Sequence, residues 1–230
     1  MNDVTAFLNA QLPPLPPVLT AAFQGQPRLR KRERTRRQLI AAAARVYSVR
    51  GIAKTTVREI AAAAEVAPVT FYNHFHSETE LMQAVGTWVA DVLCQRIVES
   101  YAHIPRGAER MSIGCRRLLW LAEESPPWAL LVADVASATP AFMQQIGPYV
   151  LADLHLGQKQ KEFGAVGDST TLDLVSGTVL QAMRRIALGL APTRHALAVV
   201  TAILCGLGMS PREARALARR PMPRLATDAT

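Results

Sequence analysis

From about residue 30 to residue 220, apolar side chains recur three and four positions apart, and no segment sustains the strict alternation of a half-buried strand. The runs are punctuated by Ser or Thr with Glu or Gln three residues on, by Pro, and by Gly. These residues open and close helices because they satisfy, or cannot supply, the backbone hydrogen bonds of the terminal turns. An all-α fold follows. Leu39, Ala42, Ala43, Val46 and Tyr47 share one face of a first helix, preceded by the capping-box pattern Thr35-x-x-Gln38, with a basic start reaching back toward Arg30, and closed by Gly51. Thr56-x-x-Glu59 opens a short helix ending near Ala64, Pro68 suits the first turn of a third at 68–74, and Ser77-x-x-Glu80 opens a fourth reaching Ser100. Six further helices are expected at 107–124, 126–137, 140–160, 169–189, 193–208 and 211–220, the last opened by Ser210-Pro211-x-Glu213.

The second and third helices lie about three residues apart, which is the spacing of a helix-turn-helix. Ile60, Ala61, Ala64, Val66 and Phe71 fall where such helices pack on each other, and Ala61 is small where the backbones approach. The remaining face of the third helix carries Pro68, Val69, Thr70, Tyr72, Asn73 and His74, free to enter a DNA major groove.

Charge supports a polyanionic partner. The net charge is +8, and its excess is localised: residues 28–81 hold 11 basic against 5 acidic side chains, whereas residues 82–209 hold ten of each. Half of the residues are apolar, enough for a substantial core. Cys94, Cys115 and Cys205 are too sparse for a disulfide framework or a metal spacing and read as buried thiols of a reducing cytoplasm. Metal and other cofactors are not expected. His74 and His76, two residues apart, cannot share one helix face. The uncharged run Ala196–Met209 is too short to cross a membrane, and Asp3 with Pro13, Pro14, Pro16 and Pro17 is unlike a secretory signal. Four segments result: a disordered Pro-rich arm at 1–27, a DNA-binding domain at 28–81 with its recognition motif at 56–75, a second helical domain at 82–220, and a disordered tail at 221–230.

From Arg34 to Leu81 the chain resembles the DNA-binding domain of TetR-family regulators: a first helix ending in glycine, then TTVREIA, a turn, VTFYNHF and SETEL. The resemblance implies a homodimer that binds a palindromic operator, represses transcription, and is released when a small molecule enters a C-terminal effector-binding and dimerisation domain. It also implies that Arg58, Pro68, Val69 and Thr70 face base edges while Thr56, Tyr72, Asn73 and His74 hold phosphates and sugars. Arg34 and its basic neighbours would supply sequence-independent attraction. Three positions depart from the family pattern. Glu65 stands where the turn commonly has Gly, Ala67 where a Ser or Thr often caps the recognition helix, and Glu78 where a phosphate-facing lysine is usual.

In the second domain, Trp88, Trp120, Trp128, Phe142 and Met143 are candidates for lining a cavity for a small apolar or aromatic effector, with core packing the competing role. His103, Asp134 and His155 are candidate polar anchors. The resemblance assigns 169–189 and 193–208 to an intersubunit four-helix bundle, which makes Leu180, Met183, Val200, Ile203 and Leu207 candidate interface residues. Two other functions compete. A small helical enzyme acting on an acidic substrate or RNA lacks any phosphate loop or catalytic constellation in sequence, and a ligand-independent architectural DNA binder would have no enclosed apolar cavity.

Overall fold

The computed structural model describes residues 30–224, and within them every regular element is a helix. The expected Pro-rich arm at 1–27 and the stretch 225–230 of the expected tail lie outside the described residues. Helix α1 spans Lys31–Arg50, α2 Val57–Ala63, α3 Pro68–Tyr72 and α4 Glu78–Tyr101. They are followed by α5 (Gly107–Glu124), α6 (Pro126–Ala138) and α7 (Pro140–Lys159). Helix α8 is composite, with Asp168–Leu172, a π-helical turn Asp173–Gly177 and Thr178–Ala187 in succession. The last two are α9 (His195–Gly206) and α10 (Pro211–Ala218).

Side-chain capping fixes the starts of α2, α4, α7 and α10. Thr56 accepts a hydrogen bond from the Glu59 amide at 3.3 Å while the Glu59 carboxylate accepts from the Thr56 amide at 2.9 Å, the reciprocal box that opens α2. Ser77 accepts from the Glu80 amide at 3.1 Å, and the Glu80 carboxylate accepts from the His76 amide at 2.7 Å. Ser210 accepts from the Glu213 amide at the start of α10. Thr35 does not cap. It lies inside α1 and its hydroxyl donates to the Lys31 carbonyl at 3.2 Å, because the preceding Lys, Arg and Glu residues are good helix formers and Glu33 suits the first turn of a helix dipole.

Two helices differ from the sequence expectation. The recognition helix α3 stops at Tyr72 rather than at residue 74. The helix expected as uninterrupted over 169–189 contains the π-helical turn, which hydropathic periodicity does not distinguish from one ordinary turn.

Packing then divides the labour. In the N-terminal unit Leu39, Ala43, Ile60, Ala61, Phe71 and Phe75 are buried together, each large side chain contributing on the order of 1.5–3 kcal/mol. In the remainder, α4 packs along α7, α5 contacts both α7 and α8, and α6 contacts α8. Helix α1 also packs on α6, and one hydrophobic cluster runs from Leu39 to Ala218. The boundary expected between residues 81 and 82 falls within unbroken α4, which belongs to both units.

Candidate DNA-binding surface and effector cavity

The helix-turn-helix exposes one continuous face. Val69 and Tyr72 are 66% and 61% exposed, Arg58, Pro68 and Asn73 are exposed, and Thr70 is half-buried. Phe71, fully buried beneath them, holds the Tyr72 ring edge-on at a centroid distance of 5.2 Å. Arg34 is exposed on α1. Thr56 is exposed too, but its hydroxyl is engaged by Glu59, accepting from the amide and donating to the carboxylate at 3.0 Å. Its local task is therefore to cap α2, and a phosphate would have to compete with that bond.

Two residues near this face behave differently from a set of solvated cations. Arg36 turns inward, its guanidinium 4.6 Å from the centre of the Phe75 ring, so it ties α1 to the segment that follows α3. His74 is half-buried, and its pKa is lowered by burial first and then by the charges of Arg32 and Arg36. The neutral imidazole is thereby favoured, leaving one ring N–H to donate. The turn itself carries the strain expected of its sequence: Glu65 has φ of 57°, in the left-handed region, and Ala67 offers no side-chain cap to α3. Glu78 is exposed as the first residue of α4.

A second feature lies at the far end of α4. Leu93, Ile97, Val98 and Tyr101 of α4 join Met111, Cys115 and Leu118 of α5, Phe142, Met143, Ile146 and Asp153 of α7, and Val175, Ser176 and Leu180 of α8 around a cavity of about 70 Å³. Its wall is apolar except at a few points. The Tyr101 hydroxyl donates to Asp153 Oδ2 at 3.0 Å, and Ser176 Oγ is buried without a hydrogen-bond partner. Burial raises the Asp153 carboxyl to about 6, although the Tyr101 hydrogen bond and the Arg110 charge pull the other way. Burial likewise pushes the Cys94 and Cys115 thiols up to about 12, so neither is a nucleophile at neutral pH.

The cavity takes up some sequence candidates and not others. Phe142 and Met143 line it. Trp88, Trp120 and Trp128 do not: Trp88 faces a groove shared with Arg36 and Arg37 of α1, Trp120 is 37% exposed, and Trp128 is buried in the core. None of the proposed anchors reaches it. Asp134 pairs with Arg184, His155 with Asp168 at 2.8 Å, and His103 is exposed. The residues missed are Tyr101, Asp153 and Ser176. Asp153 was detectable as a carboxylate interrupting the apolar stripe Ile146, Val150, Leu154 and Gly157 of α7.

The interface candidates need correction. Met183, Val200, Ile203 and Leu207 are at most 1% exposed and sit in the core of the single chain, and Leu180 lines the cavity. In both α8 and α9 the larger side chains pack inward, and the exposed stripe of α8 is mostly polar, with Asp173, Gln181 and Arg185 beside Gly177. The outward face of α9 carries the small residues Ala198, Ala202 and Gly206, all exposed.

Two family models match the chain. Residues 39–85 match the family described as bacterial regulatory proteins, tetR family, and residues 106–220 match the tetracyclin repressor-like C-terminal domain. Over 93 residues the chain is 36% identical to the HTH-type transcriptional regulator TtgR of Pseudomonas putida, covering 39% of this chain and 40% of TtgR. The chain thus spans about two fifths of the length of that curated relative. Over 54 residues it is 48% identical to the HTH-type transcriptional regulator TcmR of Streptomyces glaucescens, 24% of each protein. The crystal structure of RolR in complex with the ligand resorcinol is similar over 85% of this chain and 98% of RolR, with a TM-score of 0.72 and 26% identity. That of AibR in complex with isovaleryl coenzyme A and operator DNA, at 18% identity and a TM-score of 0.51 over 67% of this chain and 95% of AibR, shares the fold. With its helix-turn-helix and its C-terminal bundle both matched, the chain belongs to the TetR family of DNA-binding transcriptional regulators.

Proposed function

We propose that this protein is a homodimeric repressor that binds a palindromic operator and is released by a small apolar or aromatic effector held between α4, α5, α7 and α8. The observation that carries the reading is the unbroken course of α4. Its first turn, capped by Ser77, is separated by five residues from the end of the recognition helix, and its last turns, from Leu93 to Tyr101, form a wall of the cavity. At 1.5 Å per residue the two ends are about 35 Å apart. A ligand that displaces the C-terminal half of α4 moves the attachment of the recognition helix as a rigid lever, which alters the distance between two such helices on one duplex. Resorcinol in RolR supports a one-ring compound as the kind of molecule such a cavity takes.

The homodimer is supported by the small-residue outer face of α9, Ala198, Ala202 and Gly206, where two backbones can approach closely. Selection of bound duplexes from a random-sequence pool, followed by titration of resorcinol and toluene into the complex, tests the whole reading. A two-fold symmetric site whose affinity falls with ligand is the expected result. A site bound equally at every ligand concentration would favour the ligand-independent architectural role instead.

A further inference from the structure

The cavity wall holds one carboxylate, and it is poorly solvated. Asp153 is 5% exposed, and among the described residues its single hydrogen bond is the one received from the Tyr101 hydroxyl on Oδ2. An ionised carboxylate offers about four acceptor positions, so most of its capacity is unmet on the cavity side. Burying an under-bonded carboxylate is costly, and the cost is relieved by any group that brings a donor to it. Ser176 adds a second unmet group. Its Oγ is buried without a partner, and it lies within the π-helical turn of α8, the kind of wide turn that often marks a functional site.

The charge of the missing donor is constrained by what surrounds Asp153. The Arg110 guanidinium acts on the carboxyl and supplies positive charge there; it is itself held by the Ile104 carbonyl at 2.6 Å and the Ala102 carbonyl at 2.9 Å. A second cation would meet that field and would lose its hydration against Ile97, Leu118, Phe142 and Val179. An anion would meet the carboxylate itself. An uncharged hydroxyl group pays neither penalty and forms a charge-assisted hydrogen bond. Size sets a second limit. A free volume of about 70 Å³ is below the roughly 150 Å³ at which an engineered apolar cavity accepts benzene, so one ring enters only as the flexible Met111 and Met143 give way.

We propose that this cavity selects uncharged, hydroxylated one-ring compounds, with Asp153 accepting the ligand hydroxyl as the specificity-determining residue and Ser176 bonding a second polar substituent. The inference rests on the reading of the cavity as the effector site, and it goes further by naming the chemical class and the group that reads it. Asp153 thereby distinguishes a phenol from a ring of the same size that has no donor.

Titration calorimetry of the full chain with toluene, phenol, resorcinol, benzoate and benzylamine at neutral pH tests it. Phenol should bind at least tenfold more tightly than toluene, resorcinol more tightly again, and benzoate and benzylamine more weakly than phenol. In Asp153→Leu the advantage of phenol over toluene should vanish while toluene binding persists, which reports that the cavity is still folded. Asp153→Asn, which keeps the shape and a neutral acceptor, should show an intermediate advantage, and Ser176→Ala should weaken resorcinol with little effect on phenol. Equal affinity for toluene and phenol in the unaltered protein, or tighter binding of benzylamine than phenol, overturns the inference and leaves the effector cavity standing. Binding of none of the five overturns both.

Discussion

Gly107 and Gly157 meet backbone to backbone where α5 begins against α7: a β-carbon added at residue 107 would lie 2.3 Å from the Gly157 amide nitrogen and 2.6 Å from the Asp153 carbonyl oxygen. Overpacking costs about 1–3 kcal/mol when side chains can adjust. Here the colliding atoms are backbone, so Gly107→Ala should lower the unfolding free energy by about 3 kcal/mol in denaturant titration. A loss well under about 1 kcal/mol would show that the two helices separate without cost.

The Asp153 carboxyl sets a pH dependence of opposite sign to the usual one for an acid. Its pKa is raised from 3.8 to about 6 in the folded chain, chiefly by burial, so the native state binds more protons than the unfolded state between those values. This group therefore favours folding fully below about pH 4, and its contribution is lost as the pH rises through about 6. The difference is on the order of 3 kcal/mol. Measured against the unaltered protein, Asp153→Asn should gain relative stability between about pH 4 and pH 7. A constant difference across that range would mean that the carboxyl titrates normally.

The turn before the recognition helix is open to improvement. Glu65 has φ of 57°, a conformation costing a residue with a β-carbon about 1–2 kcal/mol, of which glycine's own chain entropy returns roughly half. Glu65→Gly should raise the thermal midpoint modestly. Ala67→Ser supplies the absent acceptor at the start of α3 and should add about 1 kcal/mol. A fall in the melting temperature with either substitution would contradict the corresponding account.

Glu78 is exposed at the first residue of α4, where the helix dipole favours it and DNA phosphate would oppose it. Its charge also helps, after burial, to raise the Tyr47 phenol to about 12. Glu78→Lys should cost about 0.3–1 kcal/mol of stability and bring the Tyr47 titration down. It should also tighten binding to operator and scrambled duplex equally, with a salt slope steeper by about 0.9. A gain restricted to the operator would mean that residue 78 reads bases.

Charge placed on α9 should have two different consequences one residue apart. Ile203 is 1% exposed, so Ile203→Arg should unfold the chain, whereas Ala202 is exposed on the outer face, so Ala202→Arg should give a folded monomer with weakened operator binding. Sedimentation with circular dichroism separates the two. A dimeric Ala202→Arg protein would move the subunit interface elsewhere.

The helix-turn-helix was legible because each of its decisions is local. Thr56 with Glu59 and Ser77 with Glu80 fix the starts of α2 and α4, and Ile60, Ala61 and Phe71 fix which faces turn inward. The strain at Glu65 and the missing cap at Ala67 were legible for the same reason. The cavity was not. Tyr101 and Asp153 lie 52 residues apart in sequence and meet only where α4 packs along α7. Tryptophan content pointed to Trp88, Trp120 and Trp128, yet large aromatic rings are as often used to fill a core or cover a seam as to line a void. In α8 and α9 periodicity found an apolar face, but not that Met183 and Ile203 look toward their own chain.

The wide turn at Asp173–Gly177 gives α8 one joint at which its length is negotiable. An ordinary helix advances about 100° per residue, so losing a residue elsewhere in α8 would swing everything beyond it by that angle and present Thr178–Ala187 with the wrong neighbours. A π-helical turn holds one residue in excess, and removing that residue closes it to ordinary helix with both flanks left in place. Val175 and Ser176, which line the cavity, belong to that turn, as do the exposed Asp173 and Gly177. A codon lost there would redraw the cavity wall and leave the flanking turns of α8 in register with their neighbours.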